Sequence, residues 1–438
     1  MIGFDTLYSW VKDLPVVDWH NHLDMKMLAE DKPLGSLYEV WVKADPYKHR
    51  AMRICGESER VITGDASEEE KWAAWTRTLP KLVGNPLFAW ARQELAFLRG
   101  TGNGERGTGG LRPSAVSACA PAVSSAAAKW WKSVENVSLA EWTPSKILKK
   151  FGVEYLSPCV GAGEIFFCRK GRKGRKEVSA AFASLREIKI TPSLRMNAGD
   201  EISVEALEKF DSAGCRVVDI SVDDVAKLTT HNSQLSTVAA FAAAHGWTML
   251  LHMGALRETS ARLRAAAGPA GGFAGMRSAV DPAAVAAFLN GLESTHNPVQ
   301  NSLPRAILMS LNPEAHAPLA VLAGSFNEDG VPGKVQLGPA WWWCDHEEGI
   351  RDVLEKNAAY GVLSTFIGMT TDSRSLLSFV RHDYFRRVLC KWIAEKIEKG
   401  AFPDDESLLR PMMENICYKN AKRVFSRPVN LVNPVNPV

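Results

Sequence analysis

Two histidines one residue apart close a short apolar run, Val16-Val17-Asp18-Trp19-His20-Asn21-His22. On a strand, the period of two puts Asp18, His20 and His22 on one face and Trp19 and Asn21 on the other. Two imidazoles then project together from the strand's C-terminal end, the arrangement with which a strand grips a metal ion. A His-x-His pair alone is a weak signal, since incidental surface or core histidines produce it too. What decides is whether other parts of the chain deliver chemistry to the same place.

Short apolar, β-branched segments recur along the chain and read as buried parallel strands: Val16 to His22, Val153 to Cys159, Ile188 to Arg195, Cys215 to Ser221, Trp247 to Gly254, Ala306 to Leu311, Lys334 to Gly338 and Val362 to Thr371. Helical periodicity separates most of them, as in Ser203 to Ala213, Leu235 to Ala244, Pro282 to Leu292 and Ile350 to Tyr360. This alternation predicts an α/β fold, a (β/α)8 TIM-type barrel. The even spacing breaks between strands one and two. Residues 23 to 150 are too long for a crossover and carry helical patterns of their own, Glu68 to Thr78 and Ala89 to Leu98, so they read as a helical insertion at the barrel mouth. Residues 1–22 and 151–425 then form the barrel, and 426–438, with their Asn-Pro-Val repeats, a loosely ordered tail.

In such a barrel the chemistry sits at the C-terminal ends of the strands. Strand one delivers His20 and His22, and strand three ends in Pro192-Ser193-Leu194-Arg195. Strand five ends in His252-Met253-Gly254 with Arg257 just beyond, and strand eight in Thr371-Asp372-Ser373-Arg374. Nitrogen and oxygen donors of this kind suit Zn2+ or another first-row divalent ion with at least one position left open. Each residue keeps a plainer alternative: His252 as a core histidine, Arg374 as the ion-pair partner of Asp372, Arg195 and Arg257 as surface charges. The run Trp341-Trp342-Trp343 after strand seven serves packing, or lends one indole as a pocket wall.

Composition narrows the partners. The 52 basic residues nearly balance 49 acidic ones, which gives no general drive toward nucleic acid or membrane. The eight cysteines (Cys55, Cys119, Cys159, Cys168, Cys215, Cys344, Cys390 and Cys417) show no Cys-x-x-Cys pairing, against both a zinc ribbon and a disulfide framework. With no signal-peptide pattern and no apolar run near the ~20 residues of a membrane span, a soluble, cytoplasmic protein is expected. The segment Arg169 to Lys176 packs six basic residues into eight; it reads as a solvated loop or as a funnel for an anionic ligand. The glycine-rich stretch from Gly100 to Leu111 lacks the Gly-Lys-Ser/Thr of a phosphate loop and reads as a mobile loop.

Across nearly its whole length the sequence resembles the uronate (glucuronate) isomerase family of the amidohydrolase superfamily. The matching stretches are Val17-Asp18-Trp19-His20-Asn21-His22-Leu23, Asp45-Pro46-Tyr47-Lys48-His49-Arg50-Ala51-Met52-Arg53, Ile62-Thr63-Gly64-Asp65-Ala66-Ser67 and Gly84-Asn85-Pro86-Leu87. Further along come Leu251-His252-Met253-Gly254-Ala255, Gly368-Met369-Thr370-Thr371-Asp372-Ser373-Arg374-Ser375 and Arg381-His382-Asp383-Tyr384-Phe385-Arg386-Arg387. The resemblance implies a divalent metal, expected to be zinc, held by His20, His22 and Asp372, with His252 as a possible fourth ligand. It also implies aldose–ketose isomerisation of hexuronates such as glucuronate and galacturonate. Expected partners are a small-molecule hexuronate and further copies of the chain.

Moving a proton from C2 to C1 of an open-chain uronate needs a base beside C2, stabilisation of an enediol and a clamp for the carboxylate. Asp372 is assigned as the base, Tyr47 as the shuttle between the two oxygens, and Arg374 as the group that stabilises the enediolate. Arg195, His49, Trp341 and Arg257 are assigned to substrate binding. Three departures from the family pattern bear on the substrate. Strand two ends Leu156-Ser157-Pro158-Cys159 in place of a Thr-Asp-Asp-Pro-like segment, strand four reads Asp219-Ile220-Ser221 in place of Asp-His-Gly, and Pro46 and His49 flank Tyr47-Lys48. Metal-dependent hydrolysis is the alternative chemistry. Against it, no histidine ends strand six, and Tyr47 and Arg374 would have no task. A sugar-acid binder without turnover is the third reading.

Overall fold

The computed structural model describes residues 1–99, 139–163, 183–230, 232–278, 280–294 and 303–426. Among them, seven parallel strands succeed one another around a curled sheet: β1 Val16–Asn21, β2 Val153–Gly161, β3 Ser193–Asn197, β4 Val217–Val222, β5 Thr248–Met253, β6 Arg305–Ser310 and β7 Val335–Leu337. Each pairs with the next in sequence, and a two-residue strand, Lys189–Ile190, also leans on β2. Every residue of β1, β4 and β5 is buried, as expected of strands covered on both faces.

The helices used below are α1 Phe4–Val11, α2 Pro46–Ile54, α3 Glu68–Thr78, α4 Pro86–Leu98, α5 Val204–Ser212, α6 Asn232–Ala244, α7 Pro282–Ser294, α8 His316–Ala323, α9 Glu347–Tyr360 and α10 Val380–Glu398. Helices α5 to α8 each connect consecutive strands between β3 and β7, and α9 follows β7. Their starts are written in the sequence. Ser203 caps α5, and Ser67 and Glu70 form a reciprocal capping box on α3.

The eighth position differs from the strand expected over Val362 to Thr371. The chain first makes a 3-10 turn, Leu363–Thr365, then runs extended beside β1 without a ladder. Two backbone bonds tie it there: the Asp372 N–H to the His20 carbonyl (3.1 Å) and the His22 N–H to the Ser373 carbonyl (2.8 Å). Side chains supply the rest. The fully buried Asp18 carboxylate accepts from the Thr370 hydroxyl, the Thr371 N–H (3.1 Å) and the Thr371 hydroxyl (2.6 Å). Gly368, at φ +76°, lies so close to the Ile416 carbonyl that a Cβ would collide with it.

Between β1 and β2, α2 carries Tyr47. Asp45 caps that helix by accepting from the Tyr47 and Lys48 N–H groups, and Pro46 sits in its first turn. Lys48, almost fully buried, pairs with Asp45 (2.7 Å) and approaches Glu94 of α4 (3.8 Å). The pairing fixes how α2 lies on α4. No helix among the described residues is long and apolar enough to cross a membrane. The glycine-rich stretch from 100 to 111, the basic run from 169 to 176 and the tail from 433 lie outside the described residues.

Candidate functional site

Stepping by two along each strand brings a polar lining to the C-terminal end of the barrel: Asp18 and His20 on β1, Ser157 and Cys159 on β2, Ser193 and Arg195 on β3, Asp219 and Ser221 on β4, and His252 on β5. The register sets Arg195 opposite Asp219 and Ser221 opposite His252. At the rim, 352 positions downstream of His20, one carboxylate oxygen serves both imidazoles of the first strand. Asp372 Oδ1 lies 3.0 Å from His20 Nε2 and 3.0 Å from His22 Nε2. Its other oxygen accepts from the Trp341 indole N–H at 2.9 Å. Asp372 sits at φ +48°, a left-handed conformation that costs a non-glycine residue roughly 1 kcal/mol and is best tolerated by Asp and Asn.

Asp219 is the hub of the opposite wall. It accepts from His252 Nδ1 (2.7 Å) and Arg195 Nε (3.2 Å), and Cys159 Sγ stands 3.5 Å away. Burial alone would push its carboxyl up, but Arg195, His252 and His20 hold it below the usual carboxylate range. Asp372 is likewise held well below that range, burial being outweighed by the hydrogen bonds and charges of His20 and His22. Burial works against charge on His20, yet Cys159, Asp219 and Asp372 raise its affinity for a proton well above normal. Burial lowers His22 to about 4.

Asp219 and Asp372, both held ionised in the mouth, place negative charge where a cation would offset it. His252 adds a sign of incompleteness: with Nδ1 fixed by Asp219, its buried Nε2 has no hydrogen-bond partner among the described residues, and its ring centroid lies 4.8 Å from that of His20. One donor atom from each of His20, His22, Cys159 and Asp219 falls within 4.8 Å of the other three. The residues present therefore fit a divalent ion: neutral imidazoles and ionised carboxylates are its ligands, and a carboxylate-held Nδ1 is the usual support for a ligating Nε2.

A second cluster adjoins the first and ties Tyr47, singled out by the sequence, to Asp345, which was not. The Tyr47 hydroxyl donates to Asp345 Oδ1 (2.8 Å) and accepts from the Trp343 N–H (3.1 Å). Arg381 on α10 donates to Asp345 Oδ2 (3.0 Å), and its guanidinium lies over the rings of Tyr47 and Trp90. Burial, with Asp345 beside it, pushes the Tyr47 phenol well above its ordinary value. Burial and Asp372 raise the Asp345 carboxyl against the pull of Arg381. Asp345 had one available signal, a carboxylate just past the seventh strand; its link to Arg381, 36 positions away, had none.

The remaining expected residues divide. Trp341 and Asp372 meet directly, and the Trp341 and His252 rings are 4.4 Å apart. Arg195 spends Nε and Nη1 on Asp219 and the Met196 carbonyl. Arg257 is held by Asp223 (3.0 Å) and Ser221 (2.7 Å). Arg374 is exposed, adds positive charge beside His22 and has no ion-pair partner among the described residues.

His49 is buried on α2 among Asp45, Arg53, Glu59 and Lys48, and neither ring nitrogen has a hydrogen-bond partner among the described residues. Burial lowers its pKa to about 4, so the unfolded chain takes up a proton that the fold refuses. Stability is then expected to fall by about 3 kcal/mol as pH drops from 6.5 to 4, and to be flat in this group above 6.5. Urea midpoints across that range should show a shallower acid limb for His49→Gln than for the parent; equal limbs would show that His49 does not titrate there.

A parallel barrel that gathers imidazoles, ionised carboxylates and guanidiniums at its C-terminal mouth defines a barrel enzyme acting on a small polar molecule. The chain belongs to the glucuronate isomerase family, whose model matches residues 4–101 and 219–425. The curated uronate isomerases of Caldicellulosiruptor bescii and Caldicellulosiruptor saccharolyticus are 32% and 31% identical to it over 474 aligned positions, covering 95% of this chain and 95% of each relative. Among solved structures, the uronate isomerase of Thermotoga maritima superposes with a TM-score of 0.77 at 25% identity, over 96% of this chain and 97% of that one. The glucuronate isomerase of Caulobacter crescentus gives 0.73 at 20% identity, over 97% and 95%, a likeness of fold.

Proposed function

We propose that this chain interconverts the aldose and ketose forms of a hexuronate, D-glucuronate with D-fructuronate, D-galacturonate with D-tagaturonate, or both. The observation that carries the reading is the single carboxylate oxygen of Asp372 shared by His20 and His22, with Trp341 steadying the other oxygen. Zinc, or another first-row divalent ion, held by His20, His22, Asp372 and His252, would supply orientation of two substrate oxygens and relief of charge on the enediolate.

The protein's own groups account for the proton inventory. Asp372, ionised at neutral pH, takes the C2 proton and returns it to C1. Tyr47 gives its phenolic proton to O1 and takes the O2 proton back, while Asp345 and the Trp343 N–H hold its oxygen in place. Arg374, with no ion-pair partner among the described residues, would face the charge that develops on the enediolate or on the sugar acid, and Arg195, His49, Arg257 and Trp341 would shape the surroundings. Tyr47→Phe should lower kcat by about a hundredfold with KM little changed. An equal loss in KM alone would make Tyr47 a binding group.

Incubating the purified protein with glucuronate and with galacturonate, and following ketose formation, tests the reading. Chelation should abolish turnover, and zinc should restore it. A hydrolase or a binder would form no ketose. The hydrolase reading is further weakened because the histidine nearest after β6, His316, is taken up by Asp352 (2.6 Å) and the Ser310 carbonyl (3.3 Å). A cytoplasmic setting is part of the same proposal, in keeping with the free state of Cys55, Cys159, Cys215, Cys344, Cys390 and Cys417. So is a homo-oligomeric state, which sedimentation would measure.

A further inference from the structure

We propose that Arg381 is a positioning residue of the reaction: from α10 it ties the proton shuttle, Tyr47, to the segment that carries the base, Asp372, and so fixes the distance between them. The proposal rests on the isomerase reading above and adds to it a residue that touches no reacting atom. Arg381 opens the block Arg381-His382-Asp383-Tyr384-Phe385-Arg386-Arg387, to which the sequence alone gave no task.

Geometry carries the inference. Arg381 is 4% exposed, and its Nη1 donates to Asp345 Oδ2 at 3.0 Å and to the Thr371 carbonyl at 3.4 Å. The other oxygen of Asp345 accepts from the Tyr47 hydroxyl, and Thr371 immediately precedes Asp372. One guanidinium nitrogen therefore stands one side chain away from the shuttle and one peptide away from the base. The guanidinium lies over Trp90, 4.2 Å from the ring centroid, and Trp90 packs edge-on against Tyr47 at 5.7 Å. Three residues on, along the same face of α10, the Tyr384 hydroxyl accepts from the Glu347 N–H (2.9 Å), so the helix grips the chain after β7 at both Asp345 and Glu347.

The Trp341-Trp342-Trp343 run closes the circuit. Its first indole N–H donates to Asp372 Oδ2, and the backbone N–H of Trp343 donates to the Tyr47 oxygen. Tyr47, Asp345, Arg381, the Thr371-Asp372 pair and the tryptophan run thus form one ring of contacts, and a closed ring leaves its members less freedom than an open chain. Proton transfer needs both groups within hydrogen-bond reach of neighbouring atoms of one sugar, so a small displacement costs rate more than affinity. A plain structural ion pair explains the placement less well. Arg381 Nε is buried with no hydrogen-bond partner among the described residues, a cost left standing by an orientation that serves Asp345 and Thr371 through Nη1.

Arg381→Lys tests it, since lysine keeps the charge but ends one bond short of Nη1 and has no plane to lay on Trp90. With glucuronate or galacturonate, kcat should fall by about thirtyfold while KM stays within about twofold of the parent. In a Tyr47→Phe background the same substitution should cost at least about fivefold less, because the hydroxyl it places is gone; a merely destabilised enzyme would lose the same factor in both backgrounds. Asp345→Asn cuts the tie from its other end and should reproduce both results, which covers a lysine variant that fails to fold. A further readout needs no turnover: in protein labelled at tyrosine, the NMR signal of Tyr47, identified by its loss in Tyr47→Phe, should shift or broaden in Arg381→Lys. A kcat within about threefold of the parent, or equal losses in the two backgrounds, would overturn the proposal and leave the isomerase reading standing. An unmoved Tyr47 signal would overturn it whatever the turnover. A moved signal in a protein that forms no ketose would uphold the tie between Arg381 and Tyr47 and sink the isomerase reading.

Discussion

Asp372→Asn is expected to lower kcat by about a thousandfold while leaving the fold intact. The size follows from the two things a carboxylate does there. Among the described residues it is the one carboxylate held strongly ionised while in contact with both His20 and His22, so it combines proton affinity with position. Asparagine keeps the shape, can still accept from the Trp341 indole N–H and tolerates φ +48°, so the left-handed turn at the rim survives. The Asn amide cannot take a proton from carbon. Rates with glucuronate and galacturonate, read beside an unchanged thermal midpoint, check the expectation. Turnover within tenfold of the parent would remove Asp372 as the base.

The barrel was legible because its strands are buried on both faces. Segments such as Val217–Val222 and Thr248–Met253 read as compact apolar runs between helical repeats, which a surface strand would not do. The His20 and His22 pair of the metal-type cluster was legible because His-x-His on a strand is a short-range pattern, whereas Cys159 and Asp219, which complete the four donors, come from other strands and were not read as ligands. The eighth segment was misjudged because a run of β-branched and apolar residues looks the same whether backbone ladders or side chains hold it. Only the structure shows that Asp18 holds Thr370 and Thr371 there. Asp219 showed the same limit from the other side: it was visible only as the first residue of a strand end altered at Ile220 and Ser221, and its work in joining Arg195, His252 and Cys159 depends on three other strands. The Tyr47, Asp345 and Arg381 cluster comes from α2, the loop after β7 and α10, separations that no spacing rule connects.

The same rim joins stability to chemistry through one residue. Asp18 lies two positions before His20 on β1, and Thr371 precedes Asp372, so the contacts that close the barrel also set where the base stands. Asp18→Ala would leave the Thr370 hydroxyl, the Thr371 N–H and the Thr371 hydroxyl without their buried acceptor. At roughly 1–3 kcal/mol for each stranded group, partly relieved by the His20 carbonyl that the Thr370 hydroxyl can also reach (2.6 Å), the expected loss is about 4 kcal/mol. Asp18→Asn, which retains one acceptor oxygen, should lose about half of that. Urea unfolding gives the loss, and catalysis supplies a second readout: in conditions where the Asp18→Asn variant is fully folded, kcat should still fall, because Asp372 would no longer be held at one distance from His20 and His22. A stability loss under about 1 kcal/mol for Asp18→Ala would mean that the two backbone bonds from His22 and Asp372 close the barrel unaided, and that the carboxylate under the rim serves some other end.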